Sequence, residues 1–206
     1  MKKVAVVILN WNGLELLRSF LPSVVGSLPE YAELIIADNA STDKSIDFVK
    51  ANFTKIKIIQ NKSNGGFAKG YNDALKDVHN KFLVLLNSDI ETPNNWMEPV
   101  IDFMEANPTT GAAMPKILQL KNKTHFEYAG AAGGFIDKWG FPFCRGRIFS
   151  EVEKDDGQYD NSQRITWTSG AAMLIRSDLF HQVDGFDADF FAHMEEIDLC
   201  IRLGHL

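Results

Sequence analysis

The sequence of 206 residues is poor in several patterns that identify common classes of protein. It holds only two cysteines, Cys144 and Cys200, which form neither a disulfide framework nor a zinc-binding pattern. No stretch approaches the roughly 20 consecutive apolar residues of a membrane-spanning helix. The apolar run after Lys2 and Lys3 is short and lacks the small-residue cleavage site of a signal peptide. We therefore expect a cytoplasmic protein.

A basic surface and the common phosphate-binding motifs are missing as well. The formal net charge of −6 at pH 7 argues against a nucleic-acid-binding surface, so we expect no nucleic-acid partner. The segment GGFAKG at residues 65–70 lacks the spacing of a P-loop, and residues 10–13 read Asn-Trp-Asn-Gly where a dinucleotide-binding fold has G-x-G-x-x-G. There is no G-x-S-x-G elbow and no pair of histidines at metal-ligand spacing. A nucleotide would therefore be held by side chains more than by a glycine-rich loop.

Apolar runs and helical periodicity alternate through the first half of the chain. Hydrophobic residues make up 45% of the sequence and charged residues 23%, an ordinary globular composition. Strands are predicted at residues 4–9, 34–37, 56–59, 82–86 and 112–116. Helices are predicted at about residues 14–24, 46–53, 67–78 and 94–105, with residues 41–43 capping the second. This order predicts an α/β fold with a mostly parallel central sheet and helices on both faces.

The regular alternation stops in the second half. From about residue 117 to 165, glycines and aromatic residues predict irregular loops and short strands. Regular structure is expected again at residues 167–175, in a short helix near 177–183, and in a final helix from 195 to 206. This last helix has no clear terminator except Gly204, so we expect residues 117–206 to be a C-terminally incomplete half of the same domain as residues 1–116.

Four polar clusters follow the first four predicted strands. They are residues 10–12, 38–39, 61–66 and 87–89. In open parallel α/β sheets, ligands bind beyond the carboxyl ends of the strands. Because all four clusters fall at that end of the sheet, the sequence predicts a binding site there.

Asp38 and Asp89 lie at this predicted end of the sheet, and each has two interpretations. Residues 38–43 could form only a turn and a helix cap, but Asp38 at the strand end could also accept the N3 hydrogen of a pyrimidine base. Residues 87–89 could form an Asx-type turn. Alternatively, Asp89 could bind a hard divalent cation, which prefers oxygen ligands and neutralises a nucleoside diphosphate.

Acidic residues also cluster at the start of the final predicted helix. Glu195, Glu196 and Asp198 could interact favourably with the positive end of the helix dipole. One of them could instead be a general base that deprotonates an acceptor hydroxyl group. His193 is either a structural residue, a metal ligand or a phosphate contact.

Gly170 and four aromatic residues have both structural and functional interpretations. Gly170 indicates a close backbone approach, either to a ligand or to another part of the fold. The aromatic residues Trp139, Phe141, Phe143 and Trp167 could stack on a sugar or belong to the core.

Six motifs occur in a specific order along almost the whole chain. They read VVILNWNG, ADNASTD, NGGFAKGYNDAL, LLNSDIE, WTSGAAMLIR and GFDADFFAHMEEIDLCIRL. In this order they resemble family-2 glycosyltransferases of the GT-A fold, in particular the rhamnosyltransferase-like branch. The resemblance implies a Rossmann-like, three-layer α/β fold, in which residues 1–116 bind a nucleotide-sugar and residues 117–206 form the acceptor side.

The resemblance further implies inverting, metal-assisted transfer of a sugar from a UDP- or dTDP-linked donor to a hydroxyl group of a glycan or lipid-linked acceptor. The implied cofactor is Mn²⁺ or Mg²⁺. The implied nucleotide contacts are Asn10, Asn12, Asp38, Asn64, Gly65, Lys69 and Asn87, and the candidate metal ligands are Asp89 and His193. Glu196 is implied as the catalytic base because the family often has Glu-Asp at residues 195–196, with Glu195 and Asp198 as alternatives.

One departure from the family pattern affects the metal site. Asn87 stands where the family often has a second acid, which implies weaker metal binding that rests mainly on Asp89. The family also implies a role in bacterial surface polysaccharide or cell-wall biosynthesis, with peripheral association at the cytoplasmic face of the membrane. The alternative is a catalytically inactive sugar-nucleotide-binding module. A third interpretation, a nucleotidyltransferase, lacks a basic, glycine-rich triphosphate loop after the first strand.

Overall fold

A computed structural model describes residues 2–206 of the chain. The strands are β1 (Val4–Asn10), β2 (Ala32–Asp38), β3 (Lys57–Gln60), β4 (Phe82–Leu86), β5 (Ala112–Ala113), β6 (Gly134–Ile136), β7 (Pro142–Cys144), β8 (Arg147–Ile148), β9 (Glu151–Val152) and β10 (Ala172–Arg176). The helices are α1 (Leu14–Gly26), α2 (Ser45–Asn52), α3 (Gly66–Leu75), α4 (Glu98–Ala106), α5 (Ser177–Gln182) and α6 (Glu195–Leu203).

Six of these strands form one mixed sheet in the order β3-β2-β1-β4-β10-β5. β3, β2, β1 and β4 run parallel to one another, whereas β10 is antiparallel to both of its neighbours. The mostly parallel sheet was predicted, and the fold is α/β. The four parallel strands bring their carboxyl ends, and the polar clusters that follow them, to the same end of the sheet.

Alternate residues of β1 enter two hydrophobic cores on opposite faces of the sheet. Val4, Val6 and Ile8 pack with buried residues of α1, α2 and α4. Ala5 and Val7 pack with buried residues of α3, α5 and α6. Successive side chains of a strand point to opposite faces, so a continuous apolar strand needs cover on both sides. The helices supply that cover, which confirms the three-layer arrangement.

Several predicted boundaries differ from the structure. β5 has two residues instead of the predicted 112–116, because Pro115 lacks the amide hydrogen that a longer ladder would need. The regular section predicted at 167–175 is a strand only from Ala172, because the preceding residues form turns and loops. α4 begins at Glu98 instead of residue 94, after two turns. The final helix ends at Leu203.

Residues 117–165 fold into loops and two small hairpins, as the sequence predicted. β6 pairs with β7 and β8 with β9, each pair forming a separate antiparallel sheet. Phe126, Ala131 and Ala132 make a small third core beneath them. None of the helices within residues 2–206 has the length and apolar character to cross a membrane.

Candidate active site

Asn10 and Asp38 end the neighbouring strands β1 and β2, where they lie in register with each other. Both residues are buried, and Asn10 Nδ2 donates a hydrogen bond to Asp38 Oδ1 over 3.2 Å. Asp38 Oδ2 accepts a second bond from the Ser41 amide over 3.3 Å. A carboxylate can accept about four hydrogen bonds, so Asp38 retains acceptor capacity for a ligand. Its predicted contact with a base stays a prediction.

Asn12 and Ser41 tie the loop after β1 to the loop after β2. Asn12 adopts the left-handed region at φ = 51°, and its Oδ1 accepts from the amides of Thr42 and Asp43 over 2.7 and 3.2 Å. Ser41 Oγ accepts from the Asn12 amide over 2.9 Å and from Asn10 Nδ2 over 3.0 Å. The Asn12 side chain therefore shapes the polar loop, and its predicted nucleotide contact stays a prediction.

The N-cap of α2 is Lys44, outside the predicted residues 41–43, and it makes no side-chain cap bond; of the predicted residues, only Asp43 bonds the start of the helix. The carboxylate accepts from the amide of Ser45, the first residue of α2, over 3.0 Å. It also accepts from the amide of Leu14, the first residue of α1, over 3.0 Å. One aspartate therefore serves the first turns of two helices, while Ser41 bonds within the polar loop instead.

Three asparagines join the loops after β2 and β3 to the start of α3. Asn39 is buried, and its Nδ2 donates to Asn64 Oδ1 over 2.8 Å and to the Gly66 carbonyl over 2.9 Å. Its Oδ1 accepts from Asn61 Nδ2 over 3.1 Å, and Asn61 Nδ2 also donates to the Gly70 carbonyl over 2.9 Å. Asn64 was a predicted site residue. Asn39 and Asn61 were not predicted individually as site residues, although both lie in predicted polar clusters.

Gly65 and Lys69 lie at the start of α3, as the cap residue and one turn further on. A Cβ atom added to Gly65 would lie 2.8 Å from Lys69 Cγ, so the lysine stem occupies the space beside the glycine. The Lys69 ammonium group pairs with Asp73 on the exposed helix surface over 2.8 Å. Exposed ion pairs of this kind contribute little to the stability of the fold, so the lysine can readily exchange Asp73 for another partner. Its predicted nucleotide contact stays a prediction.

Gly66 connects this polar region to the segment before α6. It has φ = 80°, and a Cβ atom there would lie 2.4 Å from the carbonyl oxygen of Phe191. That carbonyl oxygen accepts a hydrogen bond from the Phe67 amide over 2.9 Å. Only a glycine can bring the two backbones this close. The sequence motif contains this glycine, but it carries no signal for its partner.

Two consecutive residues before α6 adopt the left-handed conformation. His193 has φ = 74° and Met194 has φ = 72°. Such residues each cost on the order of 1–3 kcal/mol and concentrate at functional sites. They turn the chain from the segment at Phe191 into α6, which begins with Glu195. The strained turn therefore sets the position of the acidic pair.

Glu195 and Glu196 are largely removed from solvent. Glu195 is only 5% exposed, and Oε2 of each residue is buried without a hydrogen-bond partner in the part of the chain that the structure describes. Burial raises the pKa of Glu195, and burial together with the neighbouring charge of Glu195 raises the pKa of Glu196. Both effects disfavour the charged form and increase proton affinity. The nearby His193 acts in the opposite direction on both carboxyl groups.

The two residues before β10, Gly170 and Ala171, connect Glu196 to the end of β4. A Cβ atom on Gly170 would lie 3.8 Å from Glu196 Cβ and 3.3 Å from Phe67 Cζ, so this glycine packs against the fold beside the acid. The next residue, Ala171, accepts a hydrogen bond at its carbonyl from the Asn87 amide over 2.9 Å. The acidic helix and the cluster after β4 therefore belong to one end of the sheet.

Asp89 is available as a metal ligand. It lies in the turn after β4, is exposed, and has no hydrogen bond or ion pair to another residue within 2–206. Across those same residues, no three His, Cys, Asp or Glu side chains come together as a ligand cluster. Mg²⁺ and similar ions often use only one or two carboxylates and take their other ligands from phosphates and water. Asp89 suits that use, and His193 is the other candidate ligand.

Asp198 is committed to another contact. It pairs with Arg202 one turn later on α6, over 2.7 Å. Arg202 also donates to the carbonyl groups of Val183 and Gly185, over 2.7 and 2.8 Å. This set of bonds holds α6 against the segment after α5. Asp198 therefore has a structural role that competes with its predicted alternative role as a base.

The predicted sugar-stacking aromatics divide into two groups. Trp167 is buried and its indole nitrogen donates to the Phe135 carbonyl over 3.0 Å, so it is a core residue. Trp139, Phe141 and Phe143 are exposed on the β6–β7 hairpin. A groove of about 1180 Å³ lies between α4, residues 159–168 and the end of α6. It includes none of the predicted donor-site residues, and we assign no donor to it.

The residues at the carboxyl end of the sheet therefore form two linked regions. One is rich in amides and hydroxyl groups and surrounds Asp38, where it can bind a polar ligand. The other presents the buried acidic pair. Gly66 with Phe191, and Asn87 with Ala171, connect the two. Such an arrangement can hold a nucleotide beside a group that accepts a proton.

Comparisons with known proteins identify a family and several relatives of this chain. The sequence model of a family described as glycosyl transferase family 2 matches residues 5–182. An N-acetylglucosaminyl-diphospho-decaprenol L-rhamnosyltransferase from Mycobacterium tuberculosis is 24% identical over 206 residues, covering 91% of this chain and 66% of its own length. An inactive polypeptide N-acetylgalactosaminyltransferase-like protein 5 from Macaca fascicularis is 26% identical over 191 residues, covering 88% of this chain and 42% of its own.

A solved structure shows the same fold. The crystal structure of GalNAc-T7 with UDP, GalNAc and Mn²⁺ superposes with a TM-score of 0.73 at 16% identity, covering 98% of this chain and 40% of that one. This likeness confirms the predicted GT-A-type fold. The chain spans 66% of the length of its mycobacterial relative and a smaller share of the other two proteins.

Proposed function

The chain belongs to glycosyl transferase family 2, and from this premise we propose that it transfers a sugar from a nucleoside-diphosphate-sugar to a hydroxyl group of a glycan or lipid-linked acceptor. The observation that carries the proposal is the acidic pair, Glu195 and Glu196, buried without hydrogen-bond partners for one oxygen each beside the polar end of the sheet. Natural folds rarely bury unpaired carboxylates without a chemical use.

Glu196 is the proposed general base. In its carboxylate form it removes the proton of the acceptor hydroxyl group while that oxygen attacks the anomeric carbon. The bond between this carbon and the diphosphate oxygen breaks, and its electron pair leaves with the diphosphate. Attack from the opposite face inverts the anomeric configuration in a single displacement. The raised pKa of Glu196 favours this role because a carboxylate with greater proton affinity accepts the hydroxyl proton more readily.

The donor is proposed to bind at the polar region around Asp38. The carboxylate of Asp38 has acceptor capacity for the N3 hydrogen of uracil or thymine, and Asn10 holds it in place. Asn64, Gly65 and Lys69 line the start of α3, where a helix N-terminus favours a diphosphate. A divalent cation, Mn²⁺ or Mg²⁺, held by Asp89 with His193, would stabilise the leaving diphosphate. Asn12 and Asn87 are proposed to shape the loops around the nucleotide.

The acceptor side is proposed to involve residues 117–206. The mycobacterial relative is named for a diphospho-decaprenol acceptor, and this supports a lipid-linked acceptor here. The corresponding biological role is synthesis of a bacterial surface polysaccharide or cell wall at the cytoplasmic face of the membrane.

A second candidate is an inactive sugar-nucleotide-binding module. Two observations favour it: one relative is named as inactive, and Asn87 replaces a second acid next to Asp89. This module would bind a nucleoside diphosphate without turning over any sugar donor.

One experiment separates the candidates. UDP- and dTDP-sugars are screened with Mn²⁺ for nucleotide release, with and without soluble glycan acceptors, and UDP and dTDP binding is measured by calorimetry. The substitution Glu196→Gln should reduce transfer by about 10²–10⁴-fold and leave nucleotide affinity nearly unchanged. Glu15→Gln, on the exposed surface of α1, is the control.

The outcomes of this screen are distinct. Nucleotide binding without release from any donor supports the inactive module. Transfer that survives Glu196→Gln but is lost in Glu195→Gln moves the base to Glu195. Failure of both nucleotide binding and transfer overturns the proposal.

A further inference from the structure

A short hairpin in the second half of the chain exposes large apolar side chains. It consists of residues 134–144, and we call it the aromatic hairpin. Trp139 is 75% exposed, and Phe141 and Phe143 are exposed by 69% and 52%. A turn leads directly into β8, whose last residue, Ile148, is 66% exposed, and the next residue, Phe149, is 88% exposed. Single exposed apolar residues are ordinary, but so many within one short segment indicate an interaction surface.

The backbone at the tip of the hairpin is held in a defined shape. Asp137 Oδ1 accepts from the amides of Trp139 and Phe141, over 2.8 and 2.9 Å. The Asp137 amide donates to the Phe141 carbonyl, and the Gly140 amide donates to the Asp137 carbonyl, both over 3.0 Å. Gly140 permits the turn because its φ is 89°. A turn stabilised by these hydrogen bonds therefore presents the aromatic rings. The amides that make the bonds would keep their partners in an apolar environment.

The chemistry of the tip favours a lipid surface over a sugar or a protein partner. Rings exposed over most of their area do not line a pocket. One carboxylate oxygen of Asp137 already accepts hydrogen bonds from backbone amides of the turn, so few free polar groups remain to orient a sugar. Lys138 Nζ lies 5.0 Å from the Trp139 ring centroid. Tryptophan with lysine is the combination that anchors proteins at membrane–water interfaces. The bonded amides of Asp137, Trp139, Gly140 and Phe141 also lower the cost of insertion, because they need no water as a partner.

We propose that the aromatic hairpin, together with Ile148 and Phe149, inserts into the interfacial region of a phospholipid bilayer. This inference rests on the proposed function in one respect, because a membrane-bound acceptor is what would make the contact useful. The inference places the membrane contact at residues 137–149, in the half of the chain proposed to bind the acceptor. The rings would enter the region of the lipid headgroups while Lys138 contacts phosphate groups.

Vesicle sedimentation tests the proposal. The protein is mixed with vesicles of phosphatidylcholine, alone and with phosphatidylglycerol, and bound and free fractions are separated. Replacing Trp139→Ser and Phe141→Ser together should reduce the partition coefficient by about tenfold or more for each ring removed. The matched control replaces two exposed apolar residues of α1, Leu16→Ser and Val25→Ser, and should leave binding unchanged.

A fluorescence measurement identifies the inserted ring. Brominated phosphatidylcholine should quench tryptophan emission in the wild type, and Trp139→Phe should lose that quenching while still sedimenting with vesicles. Thermal unfolding of each variant checks the fold: the midpoint should stay unchanged for the mostly exposed Trp139 and Phe141 and fall slightly for the partly buried Leu16 and Val25.

Two results would overturn the inference: no vesicle binding by the wild type, or unchanged binding by the double variant. If a soluble glycan shields Trp139 from solvent and the protein does not bind vesicles, the membrane inference is also overturned, in favour of a sugar-stacking surface. Transfer to a water-soluble acceptor separates this test from that of the enzyme. Vesicle binding without transfer supports the membrane contact alone, whereas transfer without vesicle binding leaves the enzyme proposal standing.

Discussion

Replacing Gly66 with alanine should disrupt the contact between the start of α3 and the segment before α6. A left-handed φ of 80° makes alanine unfavourable by about 1–2 kcal/mol. The new Cβ atom would also lie 2.4 Å from the Phe191 carbonyl oxygen and 2.8 Å from its ring, so Phe191 must move. Overpacking of this kind costs about 1–3 kcal/mol. The free energy of unfolding should fall by about 2–5 kcal/mol.

Gly140 offers a matched control for the backbone strain alone. Its φ is 89°, but a Cβ atom there would meet nothing within 4 Å. Gly140→Ala should therefore lower the free energy of unfolding by only about 1–2 kcal/mol. Urea denaturation of both variants measures the difference, which isolates the collision with Phe191 from the cost of the left-handed conformation.

The same pair of variants tests the link to the acidic residues. If the Phe191 segment sets the position of Glu196, Gly66→Ala should lower kcat on the order of 10²-fold, while UDP affinity changes little. Gly140→Ala should keep the wild-type kcat, measured with a soluble acceptor, and the wild-type UDP affinity. Equal destabilisation of the two variants, or full kcat in Gly66→Ala, would refute the reasoning.

Three further predictions concern single side chains. Asn39→Asp should lower the free energy of unfolding by about 2–4 kcal/mol, measured by urea denaturation, because a carboxylate would face two carbonyl acceptors, Asn64 Oδ1 and the Gly66 carbonyl. Because burial raises the pKa of Glu195 above its ordinary value of 4.5, the folded state holds the proton more tightly than the unfolded state. Wild-type stability should therefore fall as pH rises from 4.5 through the raised pKa, by about 1.4 kcal/mol for each tenfold gain in proton affinity on folding. Glu195→Gln should remove only the Glu195 share of this fall, because burial also raises the pKa of Glu196, as measured by metal-free unfolding across the same rise in pH. Asp89→Ala should abolish the gain in calorimetric UDP affinity on adding Mn²⁺, and an unchanged gain would exclude Asp89 as a ligand.

The centre of the parallel sheet was predictable because β1 and β4 are apolar along almost their whole length. A strand covered on both faces must be apolar throughout, and residues 4–9 and 82–86 have that character in the sequence. β5 was overestimated because its length depends on pairing with β10, which lies far along the chain. Pro115 was a local sign of a shorter strand, but the partner that sets the extent of pairing is not visible in the local sequence. The antiparallel direction of β10 was unpredicted for the same reason.

The candidate site was predictable as a location more than as a set of contacts. Polar clusters after apolar strands placed Asp38 and Asp89 at the carboxyl end of the parallel strands, where the structure has them. The roles of their neighbours depend on distances that the sequence does not contain. The buried Asn39 looks like any loop asparagine until its bonds to Asn64 and Gly66 are seen. The pairing of Asp198 with Arg202 follows helical spacing and could have been anticipated.

The strand order also constrains how this chain acquires its structure. β1 to β4 follow one another closely and can pair as they are synthesised, but the outer side of β4 receives β10 only when Ala172 meets Leu86. Closing such a long loop is slow compared with local pairing. Until then, the all-apolar β4 presents an unpaired edge, a template for association between nascent chains. The late arrival of β10 therefore makes folding yield sensitive to protein concentration and temperature.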